Sequence, residues 1–358
     1  MSNHVTSGTS RKWHHNITID LFARVLSNSI FHPFVAWLIP LCLRSLQAPY
    51  ESVEFITACA YAGLVTLLWM LSVINKRVAY GIRRTVDWDH EVVVITGGAN
   101  GLGKIIAQTY GMRGASVAIL DIAEPDKDIE DLGDVHFYKC DIGDANAVAK
   151  IGEAIKRELG APTILINNAG IVSRKKTWEL TTGDVQRTMS VNLISHFNTI
   201  RTFLPGMLES EVGGTIVTVA SVLGKLGGSH LSDYTASKAG LIAMHNSLRG
   251  ELTSSDAPEG AEDIRMILVT PGQLATRLFA DLDTPSHFLG PVVEPVELAN
   301  EIVQKIDSGE SGEISLPFYT RWVEWIFVLP AGLQRILRIL SGIDQAMGLA
   351  NAKTAKRE

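Results

Sequence analysis

The chain has 358 residues, a net charge of −6 and 46% hydrophobic residues. That length suits one large α/β domain with extensions, and the mild negative charge excludes an electrostatic footprint for nucleic acid. The three cysteines, Cys42, Cys59 and Cys140, lie far apart, match no zinc spacing and are too few for a disulfide framework, so no metal site is expected and the compartment is reducing.

Residues 1–29 read as a polar tail with one short helix, its main charges Arg11, Lys12 and Arg24. Residues 30–77 form a membrane-anchor region. The first apolar run begins near Ile30, too far in for an ordinary signal peptide. From Phe31 to Leu43 the chain is apolar but broken by Pro33 and Pro40, and a run this short lies in the interface or re-enters. Phe55–Ile74 holds 20 residues without a charge, about 30 Å as a helix and enough to cross the hydrocarbon core. Lys76, Arg77, Arg83 and Arg84 follow it, and clustered basic residues beside a span favour the cytosolic side. If Phe34–Leu43 also enters the bilayer, the acidic loop Ala48–Glu54 caps a hairpin; one and two passes both stay open.

Residues 90–316 alternate strand and helix. Strands are expected at Val92–Thr96, Ser116–Asp121, Val135–Lys139, Thr163–Ile166, Gly214–Ala220, Arg265–Thr270 and Glu313–Leu316. Helices are expected after the first strand to Met112, at Asp144–Leu159, at about Asp184–Met207, at Tyr234–Thr253 and at Val296–Asp307. Buried β-branched strands alternating with helices make a Rossmann-type, doubly wound parallel sheet in the α/β class. The segment Gln273–Pro295 is long for an α/β loop. Phe279, Phe288 and Leu289 mark it as a lid over an apolar substrate. Residues 317–358 are an amphipathic extension, with Trp322, Trp325, Phe327 and Leu329, then Leu333, Ile336, Leu337 and Leu340 among Arg335 and Arg338. That pattern suits an interfacial helix or hydrophobic entrance, and equally a helix packed on the domain.

Thr96-Gly97-Gly98-Ala99-Asn100-Gly101-Leu102-Gly103 joins an apolar strand to a helix. Glycines there permit a tight turn and close backbone approach, and the helix offers N–H groups and its positive dipole end to a pyrophosphate. Asp121 ends the second strand about 20 residues beyond the glycine turn, where an acid accepts hydrogen bonds from ribose hydroxyls and repels a 2′-phosphate. Uncharged Asn100 agrees with NAD. Tyr234 and Lys238 share one face of a helix. A phenol ionises near about 10, and a neighbouring ammonium with the oxidised nicotinamide's charge would lower that value. Ser221, thirteen residues upstream, can hold a substrate oxygen while Tyr234 exchanges the proton. His196 reads as a packed or interfacial histidine and Cys140 as a buried small residue.

With these residues in place, the chain resembles the short-chain dehydrogenase/reductase family over about residues 90–316. The family's glycine motif is matched by Thr96, Gly97, Gly101 and Gly103, its adenine-contacting acid by Asp141, and its Asn-Asn-Ala-Gly motif by Asn167 to Gly170. The catalytic tetrad falls on Asn192, Ser221, Tyr234 and Lys238, and the Pro-Gly and threonine after the sixth strand on Pro271, Gly272 and Thr276. The resemblance implies that Thr276 holds the nicotinamide carboxamide and that Asn192 holds a water linking Lys238 to solvent. Dinucleotide contacts are expected from Thr96, Gly97, Asn100, Gly101, Leu102, Gly103, Asp121, Asp141, Asn168, Ala169, Gly170, Tyr234, Lys238, Pro271, Gly272 and Thr276. The hydrophobic N-terminus and Trp-rich end are similar to the membrane-bound branch of retinol and 17β-hydroxysteroid dehydrogenases, which implies a retinoid, steroid or acyl-lipid substrate. The family resemblance also implies a homodimer, or a dimer of dimers, through the helices carrying Asn192 and Tyr234.

The function expected is a membrane-bound oxidoreductase that interconverts a lipophilic alcohol and its aldehyde or ketone with NAD. Its catalytic domain faces the cytosol, at the endoplasmic reticulum or a lipid droplet. The alternatives are an NADP-dependent carbonyl reductase on the same fold and an idle nucleotide-binding membrane scaffold. Loss of Tyr234 or Lys238 would suit the scaffold, and both are present.

Overall fold

The computed structural model describes residues 18–130, 132–279, 286–288 and 290–344. Arg11 and Lys12 of the tail, and Leu289, lie outside them. The chain divides into two compact units, Met1–Ala79 with Ser286–Pro291, and Tyr80–Pro285 with Val292–Glu358.

The first unit carries α1 (Ile19–Asn28), α2 (Pro33–Ser45) and α3 (Val53–Tyr80). Thr18 caps α1 by accepting the Leu21 N–H, and Pro33 occupies the first position of α2, where its missing N–H costs nothing. The two helices are bent by 53° across the break between them. α2 lies against α3 through small residues: Ala36, Ala62 and Val65 are buried together. The Trp37 indole N–H donates to Thr66 Oγ1 at 3.0 Å, and the Tyr61 hydroxyl donates to the Ile30 carbonyl at 2.6 Å. Elsewhere α3 turns large apolar side chains outward, Leu67, Leu68, Trp69 and Leu71 among them. Among the described residues it is the one helix long and apolar enough to cross a membrane, and the bent pair α1–α2 qualifies only if taken as a single span. A core helix would bury such side chains.

The second unit is built on β1 (Val92–Thr96), α4 (Gly101–Met112), β2 (Ser116–Asp121), α5 (Lys127–Glu130), β3 (Val135–Lys139), α6 (Ala145–Glu158), β4 (Ile164–Asn167), α7 (Thr182–Met189), α8 (Ser195–Leu208), β5 (Gly214–Val219), α9 (Leu223–Leu226), α10 (Ser232–Leu252), β6 (Ile264–Val269), α11 (Pro295–Asp307), β7 (Gly312–Ile314) and α12 (Ala331–Ser341). Seven parallel strands run in the order β3-β2-β1-β4-β5-β6-β7. The sheet is covered on both faces. Val93, Ile95, Val117 and Ile119 point into one core, and Val92, Val94, Ala118 and Leu120 into the other, which is why these strands read as unbroken apolar runs. The strand order reverses between β1 and β4, so the cleft at their carboxyl ends is the place for a ligand.

Three expectations need correction. The single helix over about 184–207 is two helices joined by a π-helical turn at Ser190–Ile194, which carries Asn192; such a turn re-aims side chains at functional positions. Arg84 is not a free juxtamembrane charge. Its buried guanidinium pairs with Glu91 at 2.5 Å and donates to the Val212 carbonyl at 2.6 Å, while Arg83 pairs with Glu310 at 2.5 Å. Lys76 and Arg77 at the end of α3, and Arg83 beyond it, remain exposed. Last, α12 buries none of its residues. It is fastened instead by polar bonds: Arg338 donates to the Leu226 carbonyl and to Asp344, and Asp344 accepts the Ser229 N–H. A helix packed by its apolar stripe is therefore not what forms among the described residues.

Candidate active site

The turn between β1 and α4 is closed by glycines at two places where nothing larger fits. A Cβ on Gly97, whose φ is +67°, would stand 2.8 Å from Ala169 Cα, and a Cβ on Gly103 would stand 2.3 Å from the Gly97 carbonyl oxygen. The Thr96 hydroxyl accepts the N–H groups of Asn168 and Ala169 at 3.0 and 3.2 Å. The Asn168 amide returns bonds to the Thr96 and Gly97 carbonyls. The glycine turn and the Asn167–Gly170 stretch are thereby stitched into one rim of the cleft. Asn100 precedes α4 in an extended conformation and makes no side-chain cap bond. The first-turn N–H groups of Gly101, Leu102 and Gly103 have no partner within the helix, the arrangement that receives a pyrophosphate. Leu102 brings only its backbone, since its side chain is buried in the core.

Asp121 is held at the end of β2 by two backbone N–H groups, Ala99 on one carboxylate oxygen and Ala123 on the other, each at 3.1 Å. The nearby cation Lys104 is paired with Asp126 at 2.5 Å and Asp128 at 3.6 Å. Asp141 follows β3 and accepts the Gly143 N–H at 2.9 Å. Across the cleft, the Pro271 carbonyl accepts the Val222 N–H, and the Gly272 N–H donates to the Leu316 carbonyl. A Cβ on Gly101 would come within 3.9 Å of the Thr276 methyl, so the glycine turn and the segment after β6 face each other. This cradle fits a dinucleotide.

The reactive side chains gather at the amino end of α10. Tyr234 and Lys238 are buried, with Lys238 Nζ 5.8 Å from the Tyr234 ring centroid. Lys238 donates to the Val219 carbonyl at 2.8 Å. Ser221 hydrogen-bonds Tyr234 and also accepts the Leu223 N–H. Gly170 comes between Asn192 and Lys238: a Cβ there would lie 3.6 Å from both Asn192 Oδ1 and Lys238 Nζ. The Asn192 side chain is committed elsewhere. Its Oδ1 accepts the Ile171 N–H at 2.8 Å, and its Nδ2 donates to the Ile171 carbonyl and to Ser237. It braces the chain that leaves Gly170.

Burial governs the ionisation of this pair. It pushes the Tyr234 phenol up to about 12, against the opposing pull of the Ser221 hydrogen bond. It pushes the Lys238 ammonium down to about 8. Without a cofactor, desolvation dominates the ionisation of the phenol; the expected lowering counts, beside Lys238, the charge of a bound oxidised nicotinamide. His196 is buried on α8, with its Nδ1 lacking a hydrogen-bond partner among the described residues. Burial holds it well below the usual imidazole range, as it holds His245 at about 4.

Tyr234 lies within an apolar cluster that also contains Val172, Leu223, Phe279, Tyr319, Val323 and Ile343. The last three come from the carboxyl-terminal extension, whose amphipathic pattern pointed to an entrance without naming these contacts. Of the lid residues, Phe279 reaches Tyr234, edge-on at 5.9 Å between centroids. Phe288 instead packs against Phe22 of α1 at 6.2 Å. A cavity of 360 Å³ opens between Ile171, Val172, Thr188 and Leu278.

The short chain dehydrogenase family model matches residues 91–286. The chain belongs to the short-chain dehydrogenases. It is therefore an NAD(P)-dependent oxidoreductase, and the idle-scaffold alternative falls. An uncharacterized oxidoreductase of Saccharomyces cerevisiae is 31% identical over 252 residues, 70% of this chain and 82% of that one. Retinol dehydrogenase 10-A of Danio rerio is 35% identical over 218 residues, 53% of this chain and 63% of that one. Among solved structures, an alcohol dehydrogenase of the archaeon Thermococcus sibiricus, complexed with 5-hydroxy-NADP, superposes with a TM-score of 0.53 at 20% identity, covering 63% of this chain and 95% of its own. At that identity the likeness is one of fold.

Proposed function

We propose that this short-chain dehydrogenase is a membrane-bound enzyme that interconverts a lipophilic alcohol and its carbonyl compound with NAD. The observation that carries the reading is the Tyr234 phenol, buried among apolar side chains that the carboxyl-terminal extension helps supply. The likeness to retinol dehydrogenase 10-A over half the chain supports it. In the oxidising direction Ser221 positions the substrate hydroxyl, and the Tyr234 phenolate takes its proton. In the reducing direction the phenol returns that proton to the carbonyl oxygen. Lys238 holds its ammonium beside Tyr234 and against the Val219 carbonyl. Asn192 fixes the backbone at Ile171 and so the position of Gly170. A bound nicotinamide supplies the hydride acceptor, or in its reduced form the donor. Tyr234→Phe is expected to bind NADH normally and to lose at least about 10²-fold in turnover. Near-normal turnover by the folded variant would overturn the role of Tyr234.

The preference for NAD rests on charge. Asp121 is fixed by two N–H groups where the adenosine ribose would lie. Lys104 is already paired with Asp126 and Asp128, and Asn100 carries no charge, so neither offers a 2′-phosphate a free cation to offset the carboxylate. The ratio of kcat/KM for NAD over NADP should exceed about tenfold, and Asp121→Ser should reduce it by about as much, some 1.4 kcal/mol. A wild-type preference for NADP would refute the assignment.

The membrane reading is supported by α3, which exposes Leu67, Leu68, Trp69 and Leu71, and by the exposed apolar stripe of α12 with Trp322 and Trp325 before it. Lys76 and Arg77 support a cytosolic catalytic domain, at the endoplasmic reticulum or a lipid droplet. Exposed Ile194 and Phe197 support a homodimer through the Asn192 and Tyr234 helices. Removing residues 1–79, a cut that keeps Arg84 with Glu91, should shift the protein toward the soluble fraction, and protease should digest the catalytic domain on sealed microsomes. Protection of that domain without detergent would refute the orientation, and carbonate extraction of the intact chain would refute the anchor.

A further inference from the structure

Arg174 stands four residues beyond Gly170 and adopts a φ of +53°, a left-handed backbone that residues with a Cβ rarely accept. Such strain persists where the surroundings enforce it, and it concentrates at sites. Its neighbours behave as surface cations do: Lys175 pairs with Asp184 at 2.8 Å, and Lys176 reaches Glu179. Arg174 spans 104 residues of sequence to donate to the Leu278 carbonyl. Its guanidinium carbon also lies 5.9 Å from the centroid of the Phe279 ring. Phe279 in turn meets Tyr234 edge-on, at 5.9 Å and 79°. Leu278, whose carbonyl Arg174 holds, lines the cavity with Ile171 and Val172.

These contacts form one chain from a strained loop to the phenol. A planar guanidinium can donate to a carbonyl and lie over a ring face at once, which a lysine ammonium does less well. We infer that Arg174 is a positioning residue that fixes Phe279 against Tyr234, and that Phe279 thereby sets how bulky an alcohol can be where it reacts. The inference rests on the reading of Tyr234 as the acid/base. Phe279 occupies space beside the phenol, and a substrate branched at its carbinol carbon must share that space. Discrimination by one apolar wall spans about 10- to 200-fold.

The test is a double-mutant cycle on the full-length enzyme in mild detergent, with Arg174→Ala, Phe279→Ala and the double variant. Rates are measured with NAD on a slim primary alcohol, decan-1-ol, and a bulky secondary one, estradiol. NADH binding confirms that each variant is folded. Each single variant should lower the kcat/KM ratio of decan-1-ol to estradiol by at least about tenfold. The double variant should match Phe279→Ala, because Arg174 acts through that ring. An unchanged ratio in Arg174→Ala, or effects that multiply in the double variant, would overturn the inference. Amide exchange supplies a readout independent of substrate. The Phe279 N–H, bonded to the Thr276 carbonyl at 3.0 Å, should exchange at least about tenfold faster in Arg174→Ala. Unchanged exchange would overturn the positioning role whatever the rates. Turnover retained by Tyr234→Phe would instead strike the acid/base reading and leave the exchange result standing.

Discussion

The withdrawal of Tyr234 and Lys238 from water is the constraint on which the rest of this molecule depends. Burying an ammonium so that it loses its proton near pH 8 rather than at its ordinary value costs about 3 kcal/mol in the charged form. The fold tolerates that cost because the Lys238 head is not orphaned: it donates to the Val219 carbonyl at the carboxyl end of β5. The same burial keeps the Tyr234 proton in place. A neutral phenol and a weakly held ammonium, side by side in a dry pocket, form a pair whose protonation responds strongly to any charge brought close. In the low effective dielectric of such a pocket a cation gains far more leverage than it has in water.

Dryness has a structural source on every side. The floor is the carboxyl edge of the parallel sheet, where β5 ends before Ser221. One wall is the stretch from Gly170 to Val172, braced by the Asn192 amide. Another is Phe279. The remainder comes from Tyr319, Val323 and Ile343, beyond the last strand. A dehydrogenase domain that ended at β7 would leave the phenol open on that side. The extension therefore couples two properties, an apolar lining beside Tyr234 and an exposed apolar helix, through a single short piece of chain.

Much of this was legible in the sequence, because it is carried by local patterns. The strand pattern placed all seven strands within a residue or two, most sharply at the central ones, since strands buried on both faces leave no polar residues to blur them. The glycine turn was legible because its glycines answer to backbone geometry: Gly97 needs a positive φ, and Gly103 abuts a carbonyl. What the sequence hid are contacts between distant segments. Nothing local distinguishes Arg84, buried against Glu91, from Arg83 beside it. The π turn at Ser190–Ile194 breaks a run whose composition is helical throughout. Phe279 and Phe288 look equivalent in one loop, yet only Phe279 meets Tyr234, because a three-residue helical turn at Arg277–Phe279 and the Thr276 carbonyl fix it there. The upward push of burial on Tyr234 was not legible, because adjacency to Lys238 is visible in a sequence, whereas desolvation depends on every residue around the pair.

The central claim is that burial sets the charge of this site, and it can be read on one nitrogen. The measurement is ¹⁵N NMR of the Lys238 side chain in lysine-labelled protein, with the resonance assigned by its loss in Lys238→Met and followed from pH 6 to 11 without cofactor. A midpoint near about 8 is predicted, well apart from the exposed lysines near about 10.4. A Lys238 signal that titrates with those surface lysines would show a solvated ammonium, and would contradict the account.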